Sequence, residues 1–181
     1  MKAFLREIFI TLLMALVLFL GIHSTLQNSE VISGSMLPTL SIGERIFINK
    51  LAYKFGHMPQ RGDIIVFIPP PHVNSDKDYI KRIIGLPGEI VKIQGGNVYI
   101  DKPDGTEIKL NEPYIAATPT YYYTSPVIPP DNYFVMGDNR NNSGDSHTGY
   151  TVPRSNIVGR AWWVTWPFSK SGSAPNYKLP A

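Results

Sequence analysis

Residues 8–22 read IFITLLMALVLFLGI, fifteen consecutive positions without a charge and with Thr11 as the one polar side chain. A helix that is apolar all round must be buried in protein or in lipid. At about 1.5 Å per residue the run spans roughly 22 Å, and extending it over 5–26 gives about 33 Å, enough for a hydrocarbon core of ~30 Å. Arg6 and Glu7 then sit at its inner edge. Lys2 and Arg6 precede the run, and no lysine or arginine follows until Arg45. The positive-inside rule therefore predicts an N-terminus in the cytoplasm and the rest of the chain outside. A buried core helix would show a polar stripe, which is missing. A cleaved signal peptide has a similar apolar length, but Gly21-Ile22-His23-Ser24-Thr25 offers no clear small-x-small cleavage site. The expectation is an uncleaved membrane anchor.

Everything beyond the anchor reads as β. The sequence has 181 residues, with 15 glycines and 16 prolines, a share above the usual ~12% that suits a turn-rich β domain. Short β-branched runs bounded by turn residues occur at 45–48 and 63–68. Segments 89–93 and 97–100 alternate and are joined through Gln94-Gly95-Gly96, which predicts a hairpin. Pro103-Asp104-Gly105 supplies a further turn before 106–110. Residues 133–136 and 157–166 are expected as closing strands. The aperiodic stretch 116–130, with Tyr121-Tyr122-Tyr123, reads as an exposed loop or loose insertion. Trp162, Trp163 and Trp166 are expected partly in the core and partly at a membrane boundary, where tryptophan is enriched. Residues 169–181 read as a loose polar tail. The resulting division is 1–27 cytoplasmic N-terminus and anchor, 28–168 β domain with the insertion near 116–130, and 169–181 tail.

Composition excludes several kinds of chemistry. With no cysteine there is no disulfide, thiolate metal site or cysteine nucleophile. A net charge of +3 without a basic run argues against nucleic acid as a partner. The Asn/Asp/Gly loop at 137–146 has the composition of a calcium loop, but Arg140 stands where such a loop needs Asp or Asn. No metal and no cofactor is expected.

Three segments carry the chemistry: Ser33-Gly34-Ser35-Met36-Leu37-Pro38-Thr39-Leu40, then Tyr79-Ile80-Lys81-Arg82-Ile83-Ile84-Gly85-Leu86-Pro87-Gly88-Glu89, then Gly137-Asp138-Asn139-Arg140-Asn141-Asn142-Ser143-Gly144-Asp145-Ser146. In this order they resemble bacterial type I signal peptidase (leader peptidase), whose serine is activated by a lysine rather than a histidine. The resemblance implies a mostly antiparallel β fold behind a single membrane helix, with Ser35 as nucleophile and Lys81 as general base. Strand alternation puts Tyr79, Lys81 and Ile83 on one face, where apolar neighbours would desolvate the amine and favour its neutral form. At an ordinary pKa near 10.4 only about one lysine in 2500 is neutral at pH 7, so a large depression is needed. The histidines give a weaker alternative, a Ser-His-Asp reading with His147 and Asp145.

The same resemblance assigns Ser33 to the oxyanion and Ser143 to orienting the lysine. It gives Tyr79, Arg82, Asp138, Arg140 and Asp145 supporting roles. Val31, Met36, Leu40 and Ile80 are expected to line shallow pockets for small residues at positions −1 and −3 of a preprotein, docked in extended form along 31–35 and 79–81. The chain departs from the family at Ile32, where proline is common, and at His147, where arginine is common. Such a peptidase would lie in the bacterial cytoplasmic membrane, with its domain on the outer face, touching preproteins and lipid and needing no obligate protein partner. Three rivals share parts of this pattern. A repressor-like Ser-Lys autoprotease would be cytoplasmic, a pilin or conjugation peptidase would use the same chemistry, and an anchored β module would only bind proteins.

Overall fold

The computed structural model describes residues 2–73 and 75–180. The apolar run forms α1 (Lys2–Thr25), of which Ala3–Thr25 is long and apolar enough to cross a membrane and has none of its span buried against protein. The chain passes from its last turn straight into β1 (Leu26–Glu30), followed by β2 (Arg45–Asn49), β3 (Ile64–Phe67) and β4 (Tyr79–Gly85). Then come β5 (Ile90–Gln94), β6 (Asn97–Asp101), β7 (Glu107–Lys109), β8 (Tyr123–Thr124) and β9 (Asn132–Met136). The last strands are β10 (Val152–Pro153), β11 (Ile157–Trp166) and β12 (Gly172–Ser173).

Two antiparallel sheets result. The larger has the order β1-β2-β11-β3-β4-β9-β10, with β12 added on β11, and the smaller has the order β7-β6-β5-β8. The hairpin of the smaller sheet turns at Gly95 and Gly96, both with positive φ (57° and 75°), the combination a two-residue turn with the right twist demands. Inside it, Val91, Ile93, Val98 and Ile100 are buried with Leu110, Ile128 and Phe134. The larger sheet packs Val31, Met36, Leu40, Ile46, Ile48 and Ile64 on one side and Ile65, Phe67, Ile83, Tyr133 and Val135 on the other.

Three expectations change. The stretch 116–130 is not loose: β8 pairs with β5, Ile128 is in the core, and the Ser125 hydroxyl accepts the Val91 N–H at 2.9 Å. None of the three tryptophans enters the core; Trp162, Trp163 and Trp166 are 50%, 40% and 50% exposed. The tail is fastened rather than loose. Asn176 accepts the Ile64 N–H at 2.7 Å and donates to the Ala161 carbonyl at 2.9 Å, while Arg61 Nε donates to the Pro180 carbonyl at 2.6 Å. A polar composition conceals this because many of the tail's ties run through backbone groups and the Asn176 amide, with Ala174 its one core residue.

Candidate active site

Ser35 sits in a single tight turn, Gly34–Met36, between β1 and β2. Met36 drops into the core beneath it, which fixes the turn from below. From the side, Asn139 holds it twice: its N–H donates to the Ser35 carbonyl at 2.9 Å and its side-chain amide to the Gly34 carbonyl at 3.0 Å. The Ser35 side chain therefore has little freedom.

Lys81 comes from β4, opposite Ile65 of β3. It is 4% exposed, and its Nζ lies 2.6 Å from Ser35 Oγ. The same Nζ is 3.1 Å from the Ile80 carbonyl and 5.3 Å from the centre of the Tyr79 ring. Burial pushes the lysine pKa down to about 8, while the charges of Asp145 and Asp138 pull it partly back. About one lysine in ten is then neutral at pH 7, against roughly one in 2500 at the ordinary value. The neutral amine accepts the hydroxyl proton of Ser35, and the protonated one donates to Ser35 Oγ. Ser33 Oγ stands 3.3 Å from Ser35 Oγ, on the turn's free side.

The third segment closes around the pair. Gly137 passes so near that a Cβ there would overlap Ser143 Oγ and the Ser35 carbonyl, so this position needs glycine for close approach. Asp138 takes both oxygens to Arg82, at 2.6 Å and 2.9 Å, and neither side chain is exposed. The Arg82 guanidinium lies 4.1 Å from the Tyr114 ring centre and 5.1 Å from that of Tyr177. Arg140 forks onto Glu112 at 2.7 Å and 2.5 Å. Asp145, wholly buried, accepts the Gly137 N–H at 2.8 Å and meets His147 Nδ1 at 2.7 Å. The imidazole stacks on Tyr121 at 4.5 Å, so His147 does not approach Ser35 as a base would.

Two assignments differ from expectation. Ser143 Oγ is buried beside the site without a hydrogen-bond partner among the described residues, so the expected bond to Lys81 is not made; the amine instead meets Ser35 and the Ile80 carbonyl. Met36 and Leu40 are core residues with no exposed surface and do not line the groove. That groove, about 620 Å³, runs past Ser35 and Lys81 and is floored by Val31, Ile46, Val66 and Ile80. Residues 79–81 form its far wall with one backbone edge free, since β9 pairs with β4 only from Arg82 onward. Glu112, Tyr114, Asn139 and Tyr177 brace the site without having stood out in the sequence. Apart from the local bond between Tyr114 and Glu112, their side-chain partners lie 26 to 105 positions away, so no local pattern marks them; the 28-residue gap between Glu112 and Arg140 is typical.

The family described as signal peptidase, peptidase S26, matches residues 1–166. The chain belongs to the signal peptidase family. A probable signal peptidase I-2 of Synechocystis is 43% identical over 166 residues, covering 90% of this chain and 73% of the relative. A signal peptidase IB of Staphylococcus aureus is 34% identical, covering 94% of both chains. A crystallised signal peptidase I of Enterococcus faecalis is 33% identical, with a TM-score of 0.48 over 57% of this chain and 96% of that one. As a signal peptidase, the chain is a serine-type hydrolase with a membrane anchor, and α1 fits that anchor. Among the described residues no group of three His, Cys, Asp or Glu side chains could hold a metal ion.

Proposed function

We infer that this signal peptidase cuts exported preproteins with Ser35 as nucleophile and Lys81 as general base. The observation that carries the reading is the 2.6 Å contact between Lys81 Nζ and Ser35 Oγ in a site that excludes water from the amine. Neutral Lys81 takes the Ser35 proton as Oγ attacks the scissile carbonyl. The oxyanion of the tetrahedral intermediate is met by the Ser33 hydroxyl and the turn's backbone N–H. The Lys81 ammonium then gives its proton to the leaving amine, which departs with the mature protein and leaves an ester on Ser35. A water, deprotonated by Lys81, hydrolyses that ester, and Ser35 recovers its proton. Ser143, buried and unpartnered, turns toward Lys81 when the amine rotates between these tasks.

Substrate choice follows from the floor of the groove. Val31 and Ile80 leave shallow apolar room, which favours small side chains at −1 and −3, and the free edge of 79–81 hydrogen-bonds an extended peptide. The positive-inside rule, applied to Lys2 and Arg6, supports an N-terminus in the cytoplasm and a groove on the outer face, with the exposed tryptophans toward lipid. Incubating the detergent-solubilised chain with a preprotein, and locating the cut by mass, tests the reading. Cleavage after a small-x-small sequence is expected from wild type. Ser35→Ala should fold and insert, yet lose about 10⁶ in rate; near wild-type turnover by that variant would end the serine mechanism.

A further inference from the structure

A second concavity, of about 560 Å³, lies where α1 meets the domain, away from the Ser35 groove. One wall is the last turns of the helix and the start of β1: Phe19, Ile22 and His23, at spacings of three and four residues, share one helix face, and Leu26, Gln27 and Asn28 of β1 continue it. The other wall is Phe47 of β2 and Lys50, the residue that follows that strand. Its two halves differ in kind. Phe19, Ile22, Leu26 and Phe47 are apolar, while His23, Gln27, Asn28 and Lys50 are polar and the lining includes no acid.

The depth of this cleft is set by the chain itself. The Lys50 N–H donates to the Thr25 carbonyl at 2.9 Å, which ties Lys50 to the terminal residue of the helix. The 23 residues Ala3–Thr25 rise about 34 Å, close to one hydrocarbon thickness with its boundary. Lys50 is thereby held at headgroup level, and Phe19 lies more than one turn deeper. Among the described residues the Lys50 ammonium has neither an ion pair nor a hydrogen bond, whereas five other basic side chains of the domain (Arg61, Arg82, Lys92, Arg140 and Lys170) each meet a carboxylate within 3.1 Å. An unpaired cation above an apolar slot matches one ligand chemistry, a phosphate monoanion carrying acyl chains.

We propose that this cleft is a binding site for a single anionic phospholipid of the surrounding bilayer. Its phosphate lies on Lys50, and one acyl chain runs down the slot between Phe47 and the Phe19-Ile22-Leu26 face. The proposal rests on the membrane-anchor reading. The lipid fills the space between a helix and a domain that otherwise meet at one strand, and so fixes the height of the Ser35 groove over the bilayer. A lysine near an anionic surface contributes about 1 kcal/mol, a selectivity of about five-fold.

Native mass spectrometry of the full chain in detergent, with equal dioleoyl phosphatidylglycerol and dioleoyl phosphatidylcholine, tests it. Wild type should retain phosphatidylglycerol about five-fold over phosphatidylcholine. Lys50→Gln should bring the two to parity, and Phe47→Ser should weaken both. Lys109→Gln, on β7 of the smaller sheet, should keep the full preference. Equal preference in wild type and Lys50→Gln overturns the site, as does an equal loss in Lys109→Gln, which would make the effect one of overall charge. Each variant must cleave a soluble peptide at the wild-type rate, which shows it folded. Extraction of the chain from membranes by alkaline carbonate would instead overturn the anchor, a failure that the lipid-exchange result does not mimic.

Discussion

The two sheets handle charge in opposite ways. In the smaller one, every buried side chain between β5 and β6 is apolar, and its ionic contacts stay at the surface: Lys92 meets Asp101 and Glu107 with side chains 26% to 47% exposed. In the larger one, Lys81, Arg82, Asp138, Arg140 and Asp145 all lie inside, none more than 4% exposed. Burying an ion costs several kcal/mol unless it is paired and hydrogen-bonded. Four of the five are so compensated: Arg82 and Asp138 pair with each other, Arg140 pairs with Glu112, and Asp145 accepts hydrogen bonds from the Gly137 and His147 backbone N–H groups. Lys81 is the exception. It faces a hydroxyl and a carbonyl instead of a carboxylate, and the charges of Asp145 and Asp138 offset only part of its burial, so desolvation favours the form without the proton. The paired ions build a dry, rigid frame, and the unpaired lysine sits in that frame against Ser35.

Three substitutions probe this contrast, taken from the largest expected effect down. Asp138→Asn keeps the shape but takes the carboxylate from the Arg82 guanidinium, leaving it only neutral acceptors, the new amide oxygen and the Gly62 and Pro175 carbonyls. Its unfolding free energy should fall by about 3–5 kcal/mol, the usual cost of breaking a buried pair. A denaturant midpoint equal to wild type would mean that the frame does not depend on this ion pair.

Lys81→Met should move stability the other way. The folded pKa of about 8 lies below the unfolded value of about 10.4, so the folded state binds fewer protons between those limits. Wild type therefore carries its full penalty below pH 8, about 3 kcal/mol, and sheds it as pH rises toward 10.4. Lys81→Met should be more stable at pH 7 by up to that amount, with the gain shrinking over the same window. A gain that stays constant with pH would place its origin in packing. Glu107→Gln in the smaller sheet should barely shift the unfolding midpoint, and added salt should shrink the shift further, because exposed pairs contribute little. A large loss there would erase the distinction between the sheets.

What the sequence revealed divides along a similar line. The membrane helix, the Gly95-Gly96 hairpin and β11 follow from local pattern, because apolar runs, alternation and positive-φ glycines act within a few residues. The Ser33, Ser35 and Lys81 positions were legible through the order of three short segments. The bracing was not. Glu112 and Tyr114 sit in an unremarkable polar stretch, and Tyr177 and Asn176 in a tail that reads as loose. Each matters through a partner that only folding brings near. Met36 and Leu40 show the converse: they are apolar residues close to Ser35 in sequence, and the sequence does not say whether they face the groove or the core. Packing settles this, because the turn at Gly34–Met36 directs Met36 inward.

The central claim is that a neutral Lys81 activates Ser35, and the pH dependence of kcat/KM for a soluble peptide tests it most directly. Activity should rise with pH along a single limb centred near 8 and level off above it, since only the neutral amine can accept the Ser35 proton. A limb near 10.4 would mean that the amine is not desolvated in the working enzyme, and a limb near 6.5 would transfer the base to a histidine. Either result would contradict the account.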